Sequence, residues 1–240
     1  MQESHLFAFL GFEPDPARYE QSHVLPGDSY DVIACLVKRS SKVLEIGCGT
    51  GTLLECLSRR RDCKVFGIEP NKDRADLARQ KGLTVIQAYL APETRLPAAS
   101  YDYIILADVL EHLDDPSMLL LNSKKYLKPG GSYIISVPNM IHWSVRLQIL
   151  LGKLEYSQYG LLDATHLRWF TQKSIMRYLE RLNFLIESVT YTNGLSLPCY
   201  YRVPLFARIP VGLKLKILGS LSEVLPNLFA CQNIIVARPL

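Results

Sequence analysis

Lys42-Val-Leu-Glu-Ile-Gly-Cys-Gly-Thr-Gly51 is the stretch from which the rest of the chain can be read. Lys42 to Ile46 is short, apolar and partly β-branched, the pattern of a buried strand. Gly47, Gly49 and Gly51 follow at alternate positions, and Thr52 to Arg60 then reads as a helix. A strand that turns tightly into a helix leaves backbone N–H groups and the positive end of the helix dipole at its mouth. Glycines there let a ligand lie against the backbone. The pattern describes a nucleotide or nucleoside site at the carboxyl edge of a parallel sheet.

The spacing is G-x-G-x-G, which is neither the dinucleotide fingerprint nor a P-loop. Glu45, two residues before the first glycine, places a carboxylate in an apolar strand, where a cationic ligand would partner it. With Glu45 included, Val43-Leu-Glu-Ile-Gly-Cys-Gly-Thr-Gly51 resembles motif I of the class I S-adenosylmethionine-dependent methyltransferases. The resemblance implies S-adenosyl-L-methionine as cofactor, with Glu45, Gly47, Cys48, Gly49 and Gly51 at its site. The plainer alternative is an ordinary βα turn with structural glycines.

Outward from this centre, Lys64 to Glu69 is a second strand closed by Pro70-Asn71. Glu69 lies 18 residues after Gly51, where a carboxylate in nucleoside-binding α/β folds accepts both ribose hydroxyls. The resemblance assigns Glu69 that role and puts Pro70 beside it. Thr84 to Gln87 is the third strand. Many relatives carry an Asp soon after it for the adenine amino group, but here no acid comes before Glu93. Stacking on Tyr89, or an inward turn of Glu93, would have to replace it. Tyr101 to Ala107 is the fourth strand, leading into Asp108-Val-Leu-Glu-His-Leu113, which again resembles the family. Asp108 is expected to face the methionine end of the cofactor, and His112 to belong to a structural turn. A helix from Leu119 to Leu127 is expected to stop at Lys128-Pro-Gly-Gly131, before a fifth strand from Ser132 to Val137. With helices at Asp28–Arg39 and Asp73–Lys81, the chain reads as α/β, a Rossmann-like doubly wound, mostly parallel sheet with helices on both faces. The resemblance adds a final antiparallel hairpin, Leu185–Thr190 with Asn233–Ala237. One domain is expected over 1–240, with residues 1–41 as an N-terminal cap from which Arg18 and Tyr19 could reach the site.

The 139–171 segment is long for a connection, so it is expected to be a functional lid inserted after the fifth strand. It holds a predicted helix, His142 to Leu151, and then Asp163-Ala-Thr-His-Leu-Arg-Trp-Phe-Thr171. Thr171 is placed to cap the helix Gln172–Leu182. The latter stretch resembles the D-x-T-H-L-R-F-F-T element of bacterial methyltransferases associated with quinone, sugar or surface-polysaccharide pathways. That implies methyl transfer to a small-molecule acceptor, most simply a hydroxyl oxygen of a quinone-, sugar- or lipid-type substrate. A hydroxyl acceptor needs its proton removed, and histidine has a suitable pKa. His166 is the candidate base and His142 the reserve. The rival reading makes the element a latch, with Asp163 paired to Arg168 and His166 bonded to backbone. Trp143 and Trp169 read as packing residues.

Hydrophobic residues make up 48% of the chain and charged residues 21%, an ordinary globular balance. The six cysteines form no C-x-x-C pair and no ligand cluster with histidine, so reduced thiols and no metal are expected. No signal peptide, membrane span or nucleic-acid partner is expected, and a cytoplasmic location follows from these expectations. The net charge of +4 is uneven: from Leu195 onward five basic residues face Glu223 alone. Within 195–230, Val211 to Leu225 shows a stripe at 213, 217, 221, 224 and 225. This apolar, basic insertion before the last strand would close the core or cap the acceptor pocket. Peripheral membrane or dimer contact is the alternative. A nicotinamide-dependent oxidoreductase would share the sheet, but Glu45 and the glycine spacing oppose it. A methyltransferase fold that binds without catalysis is the non-enzyme alternative.

Overall fold

The structure, a computed structural model, describes residues 15, 24, 26–195, 197, 199–202, 206 and 208–240, with backbone only for 201 and 202. Arg18 and Tyr19 lie outside the described residues. Seven strands form one sheet: β1 (Lys42–Ile46), β2 (Lys64–Glu69), β3 (Val85–Gln87), β4 (Tyr101–Ala107), β5 (Leu127–Pro138), β6 (Phe184–Tyr191) and β7 (Gln232–Pro239). Their order is β3-β2-β1-β4-β5-β7-β6. The first five run parallel, and β7 inserts antiparallel between β5 and β6. The chain therefore reverses its winding at β1/β4, which opens a crevice at the carboxyl ends of those strands.

Side-chain alternation divides the core. Val43, Ile105, Ile134 and Ile234 face helices α1 (Ser29–Leu36) and α2 (Thr52–Arg61). Their neighbours Leu44, Ile104, Ile135 and Ile235 face α4 (Pro116–Ser123) and α6 (Gln172–Arg181). Strands buried on both faces explain the continuous apolar runs in the sequence. Between α2 and β3, helix α3 (Lys72–Gln80) packs Ala75 and Ala78 against Leu54 and Val85. Local caps set the helix starts: Asp28, Asn71 and Asp115 accept from backbone N–H groups, and Thr171 forms a capping box with Ser174.

Two expected boundaries are corrected. The helix expected at Leu119–Leu127 starts at Pro116, ends at Ser123 and tightens into a 3-10 turn over Lys124–Tyr126. Strand β5 then begins at Leu127, not Ser132, with Lys128-Pro-Gly-Gly131 forming an irregularity in its pairing with β4. A Cβ on Gly131 would lie 2.9 Å from the Asp102 carbonyl oxygen, so glycine there lets the two strands close up. Composition could not distinguish that bulge from a helix stop.

The 139–171 segment and residues 195–230 pack together. Met140, Val145, Leu161 and Leu162 bury against Leu197, Tyr200 and Leu218. Asn139 ties the start of the segment to the approach to β7, donating to the carbonyls of Pro226 and Ala230. The segment carries helix α5 (Trp143–Leu150), and 195–230 carries α7 (Val211–Val224). The stripe expected on α7 is also corrected: its buried face is Lys214, Leu218 and Ser222, while Leu213, Val224 and Leu225 are exposed. The inner face itself carries the polar residues Lys214 and Ser222, so an apolar stripe could not mark it. Among the described residues, no helix is long and apolar enough to cross a membrane, and all six cysteines are free.

Candidate active site

A cavity of about 990 Å³ opens at the carboxyl ends of β1, β2 and β4. Its floor is the β1–α2 turn. A Cβ on Gly49 would meet no atom within 4 Å, and the residue has φ +55°, so its backbone is both bare and left-handed. Gly51, at φ +79°, has no such space: its Cβ would lie 2.3 Å from Leu83. Gly49 thus exposes backbone to the cavity, whereas Gly51 lets α2 and α3 approach each other.

Glu69 ends β2 across this turn. Its carboxylate is buried and accepts from the N–H of Gly49 at 2.8 Å and of Asn71 at 2.9 Å. Glu45 projects from β1 with 2% of its surface exposed, and its Oε2 has no hydrogen-bond partner among the described residues. Burial, reinforced by Glu69, raises its pKa well above the carboxylate range. Such a group favours a cation as its missing partner. Pro70 and Cys48 line the same cavity. Tyr89 does too, but it is 78% exposed, while Glu93 is not among the lining residues.

Asp108 sits just past β4 at φ +54°, a left-handed conformation seldom adopted outside glycine. Its carboxylate accepts from Ser136 and from the side-chain amide of Gln232, which hold it in that pose. Burial raises its pKa against the pull of those two hydrogen bonds. Tyr30, Cys231 and Gln232 line the cavity without having been singled out in sequence. Tyr30 falls inside the helix expected at Asp28–Arg39, and β7 meets β4 only across β5, so no local pattern marked these positions. Burial is the main cause lifting the Tyr30 hydroxyl, and it pushes the Cys231 thiol up to about 12.

The opposite wall is built where two motifs interlock. The backbone carbonyl of Glu111 accepts from the N–H groups of Leu167 and Arg168, at 2.7 and 2.9 Å. His112 Nδ1 meets both the carbonyl and the hydroxyl of Thr165, at 3.2 and 3.0 Å. Asp163 accepts from the N–H and hydroxyl of Thr165, at 2.7 and 2.5 Å. Arg168 reaches the carbonyl of Asp114, which corrects the expected Asp163–Arg168 pair. His166 lies in the cavity wall with its Nδ1 3.3 Å from the Leu161 carbonyl and its ring edge-on to His112 at 4.9 Å. A carbonyl only accepts, so Nδ1 carries the proton and Nε2 is the basic nitrogen.

Glu111 stands beside these histidines, fully buried, with neither carboxylate oxygen hydrogen-bonded among the described residues. Its pKa is well raised, first by burial and then by Asp108. One ligand atom from each of Glu111, His112 and His166 lies within 4.8 Å of the others. The chain order gave no sign of such a cluster, because His112 lies 53 residues before Thr165, the neighbour of His166. One carboxylate with two imidazoles is a donor set that suits a divalent transition ion.

His142 is not brought to the cavity. It is fully buried under α5, which it caps, with Nδ1 on the Ser144 hydroxyl at 2.8 Å and Nε2 on the Tyr200 hydroxyl at 3.1 Å. Burial lowers its pKa to about 4. Both nitrogens serve the packing of the 139–171 segment, so its reserve role as a base is not supported by this arrangement.

Residues 25–189 match a family described as a methyltransferase domain. This chain belongs to that family. The domain is of the S-adenosylmethionine-dependent methyltransferase type, and the bare Gly49 backbone, Glu69 and the unpartnered Glu45 oxygen fit that cofactor. Among relatives, the chain is 32% identical over 135 residues to a ubiquinone biosynthesis O-methyltransferase of Actinobacillus pleuropneumoniae, covering 52% of this chain and 56% of that one. The chain thus spans about half the length of the curated relatives it matches. A Thermotoga maritima methyltransferase described as a possible histamine N-methyltransferase superposes with TM-score 0.59 at 17% identity, covering 88% and 87% of the two chains. Phosphoethanolamine N-methyltransferase 2 of Haemonchus contortus, solved with S-adenosyl-L-methionine, has TM-score 0.59 at 15% identity over 98% of this chain and 56% of that one. At these identities the likeness is one of fold.

Proposed function

We propose that this chain transfers a methyl group from S-adenosyl-L-methionine to a hydroxyl oxygen of a small quinone-, sugar- or lipid-type acceptor. The observation that carries the reading is a single cavity joining the glycine turn and Glu69 to His166. When bound, the cofactor supplies a methyl group already activated on a sulfonium sulfur. Glu69 takes the ribose hydroxyls, Glu45 takes the ammonium group, and Asp108, held by Ser136 and Gln232, faces the methionine end. Tyr89 provides the adenine platform in place of an acid after β3. His166 Nε2 accepts the hydroxyl proton, and Glu111 stabilises the imidazolium that results. The 139–171 segment acts as a lid that excludes water over the acceptor. The relatives named for ubiquinone biosynthesis favour a quinone-type hydroxyl within this class.

The test is transfer of labelled methyl from S-adenosylmethionine to components of a cell extract, with mass spectrometry of the product. Calorimetry alongside should show S-adenosylmethionine bound in preference to NAD. Cofactor binding with no labelled product would instead identify a non-catalytic methyltransferase fold. A second reading rests on the Glu111–His112–His166 cluster: a divalent ion held there would lower the acceptor's pKa in place of a histidine base. Turnover that is lost in chelator and restored by a divalent ion would select it over the first.

A further inference from the structure

We infer that the tip of the 139–171 segment, residues 146–156, docks on the surface of an anionic phospholipid bilayer. Leu147, Ile149, Leu150, Leu151, Leu154 and Tyr156 are all exposed there, Leu150 to 81%. Six large apolar side chains within eleven consecutive positions form a patch that a protein in water has reason to cover. The exposed positions include three in a row, Ile149 to Leu151, so they do not form the single stripe that a groove on another protein would take. A bilayer interface accepts apolar side chains around a whole helix end and turn.

Charge decides between a bilayer and a second copy of the chain. The segments 139–171 and 195–230, which pack as one unit, contain seven basic and three acidic residues. That excess equals the whole net charge of +4, so the rest of the chain is neutral. Within the apolar tip itself, exposed Arg146 and Lys153 outweigh the one exposed acid, Glu155, so the tip is also net positive. A two-fold dimer through this face would set like charge against like, whereas an anionic headgroup layer complements it. The location expected for such contact, 195–230, is thereby moved: α7 contributes exposed Val211 and Leu213, but the concentrated patch is on the tip. The tip leads within a few residues to Gly160 and Leu161, which line the cavity, so docking would bring the acceptor side to the membrane.

The inference can be tested without turnover. The full chain is sedimented with phosphatidylcholine vesicles containing about one-third phosphatidylglycerol, and with phosphatidylcholine alone. The wild type should pellet with the anionic vesicles and be released by high salt. A Leu150→Glu, Leu151→Glu double variant should stay in the supernatant. Both side chains face solvent, and unchanged melting and S-adenosylmethionine binding would show that the variant is folded. Lys153→Gln should weaken partitioning about five-fold, the effect of one basic residue near such a surface. Wild type that stays in the supernatant overturns the inference, and a concentration-dependent dimer abolished by the double variant would assign the face to a second copy. Full binding by the double variant, or equal binding to uncharged vesicles, overturns it as well.

Discussion

The two walls of the cavity are made differently. On the cofactor side, Glu45, Gly49 and Glu69 stand at the ends of adjacent parallel strands, and each lies inside a short motif. On the acceptor side, Glu111, His112, Thr165 and His166 meet only because one loop folds back on another. The first wall is held by the sheet, and its geometry follows from strand register. The second depends on a few hydrogen bonds and on the packing of a segment whose tip is exposed. Perturbations should therefore separate: changes on the sheet side should alter cofactor affinity, and changes on the lid side should alter turnover and lid stability.

The largest effect should come from His166→Ala. Turnover is expected to fall on the order of 10²–10⁴-fold, the usual contribution of a positioned base. S-adenosylmethionine affinity, measured by calorimetry, should stay near wild type. A parallel loss of affinity and melting temperature would make His166 a latch and erase the division between the walls.

The lid should also show its own pH dependence. His142 is held neutral in the fold with a pKa of about 4, against 6.5 ordinarily, so the unfolded chain binds the extra proton between these values. Stability is therefore complete above pH 6.5 and drains as pH falls toward 4. Compared with His142→Gln, the wild type should lose about 3 kcal/mol more across that window in denaturant titrations. Parallel curves for the two proteins would mean that burial of this ring does not control the lid.

Glu69→Ala should weaken S-adenosylmethionine by about 10–150-fold, the value of one charge-assisted hydrogen bond of about 1.5–3 kcal/mol. The maximal rate at saturating cofactor should change much less. An unchanged dissociation constant would place the ribose elsewhere and break the assignment of the sheet side.

Thr165→Val is the finest test. It removes the hydroxyl that joins Asp163 to His112, and a loss of about 1–2 kcal/mol in stability is expected. Cofactor affinity should hold while turnover drops modestly as the His112–His166 wall loosens. A fall in affinity equal to the fall in turnover would show that the walls are coupled.

Local chemistry alone determined much of this protein. Buried parallel strands are continuous apolar runs, the glycine turn marks the start of α2 and Thr171 caps α6, so β1, β2, β4, α2 and α6 could be read within a residue or two. The positions of the glycine turn, Glu45, Glu69 and Asp108 at the cavity were legible for the same reason, since strand-end positions follow from strand limits. Tertiary structure decided what depends on contacts between distant segments. The bulge at Lys128–Gly131 needed the neighbouring Asp102 backbone, and the inner face of α7 needed the lid packed against it. The separate fates of His142 and His166 show the limit most clearly. Both are histidines in one loop, yet Tyr200 and Ser144 enclose the first, while a carbonyl and the facing Glu111–His112 turn orient the second toward the cavity. Periodicity reports which residues prefer burial, whereas a titrating group's role depends on the partners that the fold places around it.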